Sequence, residues 1–323
     1  MKTTMKDIMI KHKEAFYIYG GMLAVLLMMI TLAVITQDGA PYNSVAIAIG
    51  ADTADFRIRV AWYAIFILTG ISLGAFLSYK EFKKLGLDTE LLFDALLWAV
   101  PLAILGTRIY YVIFDPNPNY NSFLDVINIT QGGLAIHGAV ITTLVFLIIY
   151  TRIKKLSFWL ITDIVAPGFL IGQIAGRWGN FMNQEAYGPA IQSDFMLNLL
   201  PKFITDQMTI NGVIHHPTFL YEGIWNFVGL VFILIARRQK WLKVGDMMAF
   251  YLIWYGLGRG AIIEPLRTQG AAGDALMIFG YPVNIYLSLT LFMLGGVAII
   301  VLKRIFIKDQ PYYVDLLVEA EAS

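Results

Sequence analysis

The densest run of reactive side chains in this sequence is GRWGNFMNQEAYG, Gly176 to Gly188. It holds Arg177, Asn180, Asn183 and Glu185 among three glycines, and it follows a long apolar stretch. The planar fork of an arginine matches the oxygens of phosphate or carboxylate. Amides and a carboxylate a few residues away can orient that fork or bind hydroxyls. Glycines allow a helix or a ligand to come close to the backbone. This combination, at the edge of an oily segment, fits recognition of an anion at a membrane surface.

Further groups of the same kind lie elsewhere in the chain. They are Tyr63, Arg108, Tyr110, Gln131, Gly133, His137, His216, Tyr221, Glu222, Tyr255, Arg259, Glu264 and Arg267. The chain has no cysteine, which removes disulfides, thiolate metal sites and a cysteine nucleophile. Its four histidines, His12, His137, His215 and His216, show no HxxxH spacing, so neither a metal nor a cofactor is implied. A net charge of +1 with no basic stripe gives no reason to expect nucleic acid as a partner.

The elements that position these groups follow from composition. Of 323 residues, 58% are hydrophobic and only 15% charged, with mean hydropathy +0.66. Soluble domains carry about 25% charged residues, so the pattern is that of an all-α polytopic membrane protein. A span needs about 20 mostly apolar residues. Eight stretches qualify: 15–36, 59–79, 91–114, 132–151, 158–177, 217–236, 245–263 and 281–302. The first is too long for the apolar core of a signal peptide and has no small-residue cleavage site after it. Asn211-Gly212, between Thr209-Ile210 and Val213-Ile214, predicts a tight hairpin. Residues 178–216 are therefore expected to form a small extracytoplasmic head or arm.

Lysine and arginine set the orientation. Seventeen of the 24 fall before the first stretch or after the second, fourth, sixth and eighth. Those segments share one side of an eight-helix chain, so both termini are expected in the cytoplasm. The remaining basic residues are Arg57, Arg59, Arg108, Arg177, Lys202, Arg259 and Arg267. Arg57, Arg59 and Lys202 belong to outer loops. Arg108, Arg177 and Arg259 fall in the outer parts of expected helices, with Arg267 just beyond one. An arginine at membrane depth costs about 3 kcal/mol or more, so such residues face the bundle interior and pair.

One reading makes Arg177 with Glu185, and Arg259 with Glu264, ion pairs that only fix packing. Three arginines, a histidine and several amides at one depth weigh towards an outer-leaflet site for a lipid phosphate. Asp94, Asp163 and Asp246, near the opposite helix ends, read as N-terminal caps. The acidic end, with Asp315, Glu319 and Glu321, reads as a solvated tail. A transporter or flippase with an outer-leaflet anion site stays open as the alternative function.

The motifs then carry a resemblance. GRWGNFMNQEAYG is similar to the G-R-x-G-N-F-x-N-x-E-x-x-G signature of the bacterial prolipoprotein diacylglyceryl transferase family, with every fixed position met. GGLAIHGA (132–139), HPTFLYE (216–222), YGLGR (255–259) and Trp62-Tyr63 resemble further motifs of that family. The resemblance spans roughly residues 59 to 302. The family usually has seven helices with its N terminus outside; here one whole crossing precedes the core. Its R-x-x-x-E-x-x-R reads here as Arg259-x4-Glu264-x2-Arg267, one residue longer, which a bulge would absorb.

The resemblance implies transfer of the diacylglyceryl group of phosphatidylglycerol to the lipobox cysteine thiol of prolipoproteins. A thioether forms and glycerol phosphate leaves. The expected partners are thus that lipid and prolipoprotein signal peptides, at the outer leaflet of the bacterial cytoplasmic membrane. On this reading Arg177 and Arg259 bind the phosphate, and His137 accepts the thiol proton or orients the headgroup. Asn180 and Glu185 hold the glycerol hydroxyls or orient the arginines, with Tyr63, Tyr255 and Gly188 also at the headgroup. Gly133, Asn183, His216, Tyr221, Glu222, Arg108, Glu264 and Arg267 support them. The chain divides into an extra helix and outer loop (1–58), the transferase-like core (59–303) and a cytoplasmic tail (304–323).

Overall fold

The structure, a computed structural model, describes residues 41–49, 58–115, 120, 122–127, 133, 135–267, 277–278, 281–282, 285–286, 288–307 and 309–322. The expected first helix, 15–36, lies outside the described residues, as do Arg57 and Gln131.

Long helices dominate: α1 (Trp62–Lys84), α2 (Glu90–Ile113), α4 (Ile136–Ile153), α5 (Phe158–Asn183) and α8 (Thr218–Ala236). Between them run the short helices α3 (Phe123–Ile127), α6 (Asp194–Leu199) and α7 (Lys202–Gln207). The chain continues through α9 (Asp246–Leu257), a π-helical turn (Gly258–Ile263), α10 (Glu264–Arg267), a second π-helical turn (Ser288–Leu294), α11 (Gly295–Phe306) and α12 (Tyr313–Ala322). Three two-stranded antiparallel sheets complete it: β1 (Val45–Ile49) with β2 (Ile58–Ala61), β3 (Thr209–Ile210) with β4 (Val213–Ile214), and β5 (Met277–Ile278) with β6 (Tyr281–Pro282).

Among the described residues, six helices are long and apolar enough to cross a membrane: α1, α2, α4, α5, α8 and Ser288–Phe306. Their surfaces agree. Leu97, Trp98, Ile113, Ile136, Ile153 and Phe306 are all exposed, and a soluble chain rarely leaves so much apolar surface in water. Pro101 lies inside α2 and Pro167 inside α5, as spanning helices tolerate. The chain is a polytopic membrane protein. The seventh expected span, 245–263, is helical without interruption from Asp246, α9 running directly into the π turn and α10. The fifth runs further than expected, through Asn183, so the first part of the signature is helical.

The residues fall into two compact units. One comprises the described parts of 1–73, 171–227 and 256–289. Trp62, Phe181, Met182, Ile204, Met208 and Phe219 form its buried apolar core. Here α1 lies close against α5: a Cβ on Gly70 would stand 3.0 Å from the Cα of Gly172. The predicted hairpin forms, with Asn211 at φ 51° and Gly212 at φ 79°, the left-handed pair of a two-residue hairpin turn. Its neighbours α6 and α7 and a bridge from Ala190 to His215 make up the head.

The other unit comprises the described parts of 74–170, 228–255 and 290–323. Two expectations change here. Asp163, fully buried, does not cap its own helix; its carboxylate accepts the backbone N–H groups of Gly245 at 2.5 Å and Met248 at 3.0 Å. It therefore caps α9, whose own Asp246 accepts the N–H of Lys243 at 2.9 Å. Asp94 lies beyond the first turn of α2 and pairs with Lys154 at 3.4 Å. The acidic end is not a free tail. Residues 313–322 form α12, in which Tyr313 is fully buried and donates its hydroxyl to Glu81 at 3.0 Å. Glu81 also holds Arg238 at 2.5 Å and Arg237 at 3.5 Å, and Asp315 pairs with Lys240 at 2.9 Å. Burying Tyr313 and satisfying Glu81 outweighs the solvation of a short charged tail.

Candidate functional site

The helical part of the signature sets its register. Arg177 and Asn180 are three residues apart on α5 and so share a face; Arg177 Nη1 donates to Asn180 Oδ1 at 3.0 Å. Past Asn183 the chain turns through Gln184 (φ 51°) and Ala186 (φ 56°), both left-handed. That reversal brings Glu185 back over the helix end, where its Oε1 accepts from Asn180 Nδ2 at 2.7 Å and Asn183 Nδ2 at 3.4 Å. The expected Arg177–Glu185 contact is therefore relayed through Asn180.

The direct partner of Arg177 is Glu222. In the second turn of α8, Glu222 accepts Arg177 Nε on Oε1 at 3.1 Å and Arg259 Nη1 on Oε2 at 3.1 Å. Arg259 stands in the π turn and reaches Glu264 at 2.5 Å, which in turn holds Arg267 at 3.0 Å. Charges alternate along the row Arg177, Glu222, Arg259, Glu264, Arg267. Both ends are arginines, so one positive charge is in excess. Burial differs by sign: Glu222 and Glu264 have side chains 4% and 6% exposed, while the arginines keep 15–25%. The carboxylates are the more deeply buried members and hold the partly exposed guanidinium groups. Such a row offers an anion preorganised donors at little reorganisation cost.

The π turn is what keeps Arg259 and Glu264 together. Five residues along an α-helix is about 500°, or 140° away from a shared face. The wider i to i+5 turn returns Glu264 beneath Arg259. Trp225 packs into this turn, since a Cβ on Gly258 would lie 2.2 Å from its Nε1. Tyr63 lies against Gly179 of the signature, where a Cβ would stand 2.2 Å from the ring.

Gly188, His216 and Tyr221 act on the head. The N–H of Gly188 donates to His216 O at 2.9 Å, and its own carbonyl is bonded by His215 Nδ1 at 2.9 Å. His216 Nδ1 meets the Tyr221 hydroxyl at 2.9 Å. Burial, and next the neighbouring His215, hold the His216 imidazole below its ordinary pKa. Thr218 also donates to the carbonyl of Ala186. Two braces had no signal in the sequence. Gln207, fully buried, donates to Phe181 O at 3.1 Å and accepts the N–H of Tyr42 at 2.6 Å, while Gln184 donates to Gln207 O at 2.7 Å. Trp225 is the other.

The remaining expected residues lie in the second unit. His137 is exposed in the first turn of α4 and stacks on Tyr110, ring centroids 5.7 Å apart. Arg108 is buried on α2 beside Gly133. Tyr255 packs against Tyr251 and Phe292.

A model of the prolipoprotein diacylglyceryl transferase family matches residues 47–301. A phosphatidylglycerol–prolipoprotein diacylglyceryl transferase of Listeria monocytogenes is 42% identical over 276 residues, 85% of this chain and 94% of its own length. One from Bacillus cereus is 44% identical over 254 residues, 78% of this chain and 92% of its own. By these matches over most of its length, this chain belongs to the prolipoprotein diacylglyceryl transferase family.

Proposed function

We propose that the chain transfers the diacylglyceryl group of phosphatidylglycerol to the lipobox cysteine of a prolipoprotein, and that Arg177 and Arg259 bind the lipid phosphate. The observation that carries this is Glu222, one buried carboxylate held by both arginines. It fixes two guanidinium forks side by side on one carboxylate, a cationic pair suited to one anion. The cysteine sulfur attacks the glycerol carbon that bears the phosphate. An S–C bond forms, the C–O bond breaks, and its electron pair leaves on the oxygen of glycerol phosphate. The arginines are worth most at that moment, as charge gathers on the departing phosphate. An arginine is a poor base because its guanidinium stays protonated. His137, exposed in the first turn of α4, is given the thiol proton, since imidazole is the side chain most often used as a general base. Asn180 and Glu185 orient Arg177, and the amide and carboxylate present hydroxyl-binding atoms to the glycerol head.

The distribution of lysine and arginine supports an orientation with the signature and the head, 178–216, outside the cytoplasmic membrane and both termini inside. In this division 59–303 is the catalytic core, 1–58 an added crossing and its loop, and 304–323 a cytoplasmic end.

The test combines purified protein, phosphatidylglycerol and a lipobox peptide, with mass spectrometry of the product. The wild type adds one diacylglyceryl group. Folded Arg177→Ala is expected to lose roughly 100- to 1,000-fold in rate. Full activity in that variant, or in His137→Ala, removes the role given to that residue. A single cysteine at Ser193 in this cysteine-free chain should react with an impermeant reagent from outside; reaction only from the cytoplasm reverses the orientation.

A further inference from the structure

Four residues of α2, Gly106, Thr107, Arg108 and Tyr110, meet the segment around His137. Arg108 spends its guanidinium on backbone. Nε donates to Val126 O at 2.8 Å, Nη2 to Asp125 O at 2.7 Å and Nη1 to Gly133 O at 3.2 Å. The rings of Tyr111 and Tyr120 lie 5.7 and 5.6 Å from the guanidinium carbon. Thr107 O accepts the N–H of Ala135 at 3.1 Å, the last residue before α4. Gly106 receives α4 itself, because a Cβ on Gly138 would lie 2.1 Å from Gly106 O. Tyr110 then stacks on His137. Gly133 adopts φ 68°, and a Cβ there would stand 2.5 Å from Arg108 Nη1.

We infer that Arg108 is a positioning residue: by clamping two carbonyls of α3 and that of Gly133 to α2 it sets the first turn of α4 and so the direction of His137. The sequence grouped it with residues that support the anion site, and its Nε, Nη1 and Nη2 donate to carbonyls of the chain. A planar fork with five donors can bind three carbonyls at once; a lysine ammonium on a flexible stem cannot reproduce that geometry. The inference rests on His137 as the acceptor of the thiol proton for its effect on rate, though not for the clamp itself.

Two readouts separate those parts. In the transfer assay, Arg108→Met and Arg108→Lys should lower kcat roughly 10- to 100-fold, as small displacements of reacting groups do. The KM for phosphatidylglycerol should stay within about threefold of wild type. Gly133→Ala, which keeps the arginine but crowds it, should fall in the same way. A rise in that KM matching the fall in kcat would make Arg108 a lipid ligand and overturn the inference, as would unchanged kcat when His137→Ala is inactive. The second readout needs no activity. With His137→Cys as the single thiol, its rate of reaction with a maleimide should change several-fold on adding Arg108→Met, and not on adding the surface control Lys202→Met. An unchanged labelling rate sinks the clamp. A changed rate together with full activity of His137→Ala would leave the clamp standing and remove only the histidine's proposed role.

Discussion

Arg259 and Glu264 are five residues apart and form a 2.5 Å ion pair, because the backbone between them takes a π-helical turn. The extra residue in this motif is absorbed locally, and the pair survives. Ala261, exposed in that turn, is therefore dispensable. Its deletion should restore an α-helical turn with Arg259 and the glutamate at i,i+4, again on one face. Transfer should fall by less than about tenfold, under ~1.4 kcal/mol of transition-state stabilisation. Inserting an alanine after Ala261 separates the two and should abolish it. If insertion and deletion were equally harmful, the π turn would have a purpose beyond register.

Glu222 is a carboxylate shared by Arg177 and Arg259. Glu222→Gln leaves two guanidinium groups facing each other across a neutral amide. Breaking such a buried arrangement costs on the order of 3 kcal/mol, and thermal unfolding in detergent would register it. Glu222→Asp retains the charge and should recover part of the loss. Equal melting temperatures for wild type and Glu222→Gln would show the pairing to be energetically idle.

Two glycines of the signature differ in what surrounds them. A Cβ at Gly179 would meet the Tyr63 ring at 2.2 Å, whereas nothing lies within 4 Å of one at Gly176. Gly179→Ala must move the tyrosine and is expected to destabilise by about 1–3 kcal/mol. Gly176→Ala should leave thermal stability unchanged. The reverse order would contradict this packing.

His216 lends the head a pH dependence. Its folded pKa lies below the ordinary 6.5, so the unfolded chain takes up the proton first as pH falls. The stability it contributes is complete above about pH 6.5 and is lost between there and the lower folded value. Melting temperature measured from pH 8 to 5 should drop, and less so in His216→Asn, which cannot be protonated. Parallel curves for the two proteins would exclude this contribution.

Tyr313 anchors α12 on Glu81. Tyr313→Ala removes a fully buried ring, and losses of about 3–5 kcal/mol are usual for such a truncation. Tyr313→Phe keeps the ring and gives up only the hydrogen bond, about 1 kcal/mol. Proteolysis of the chain end, rapid in Tyr313→Ala and slow in wild type, reports the same docking. Resistance in both would mean that α12 is held by other contacts.

The linear pattern determined a good deal by itself. Sparse charge and long apolar runs require membrane helices wherever the chain is, because hydrocarbon leaves a backbone no other partner than itself. Asn211-Gly212 determined its hairpin through two residues that tolerate positive φ. The signature marked the functional stretch through residue types too costly at that depth to be incidental. The partners of those residues came from elsewhere. Arg177 pairs with Glu222 and not directly with Glu185, Asp163 caps a helix that begins more than eighty residues later, and Tyr313 meets Glu81 from the far end of the chain. Gln207, which braces the end of α5, carries no mark in its own neighbourhood. Such pairings depend on how far each helix is rotated about its axis and which neighbour it faces. Those are properties of packed helices, and tertiary structure alone decided them.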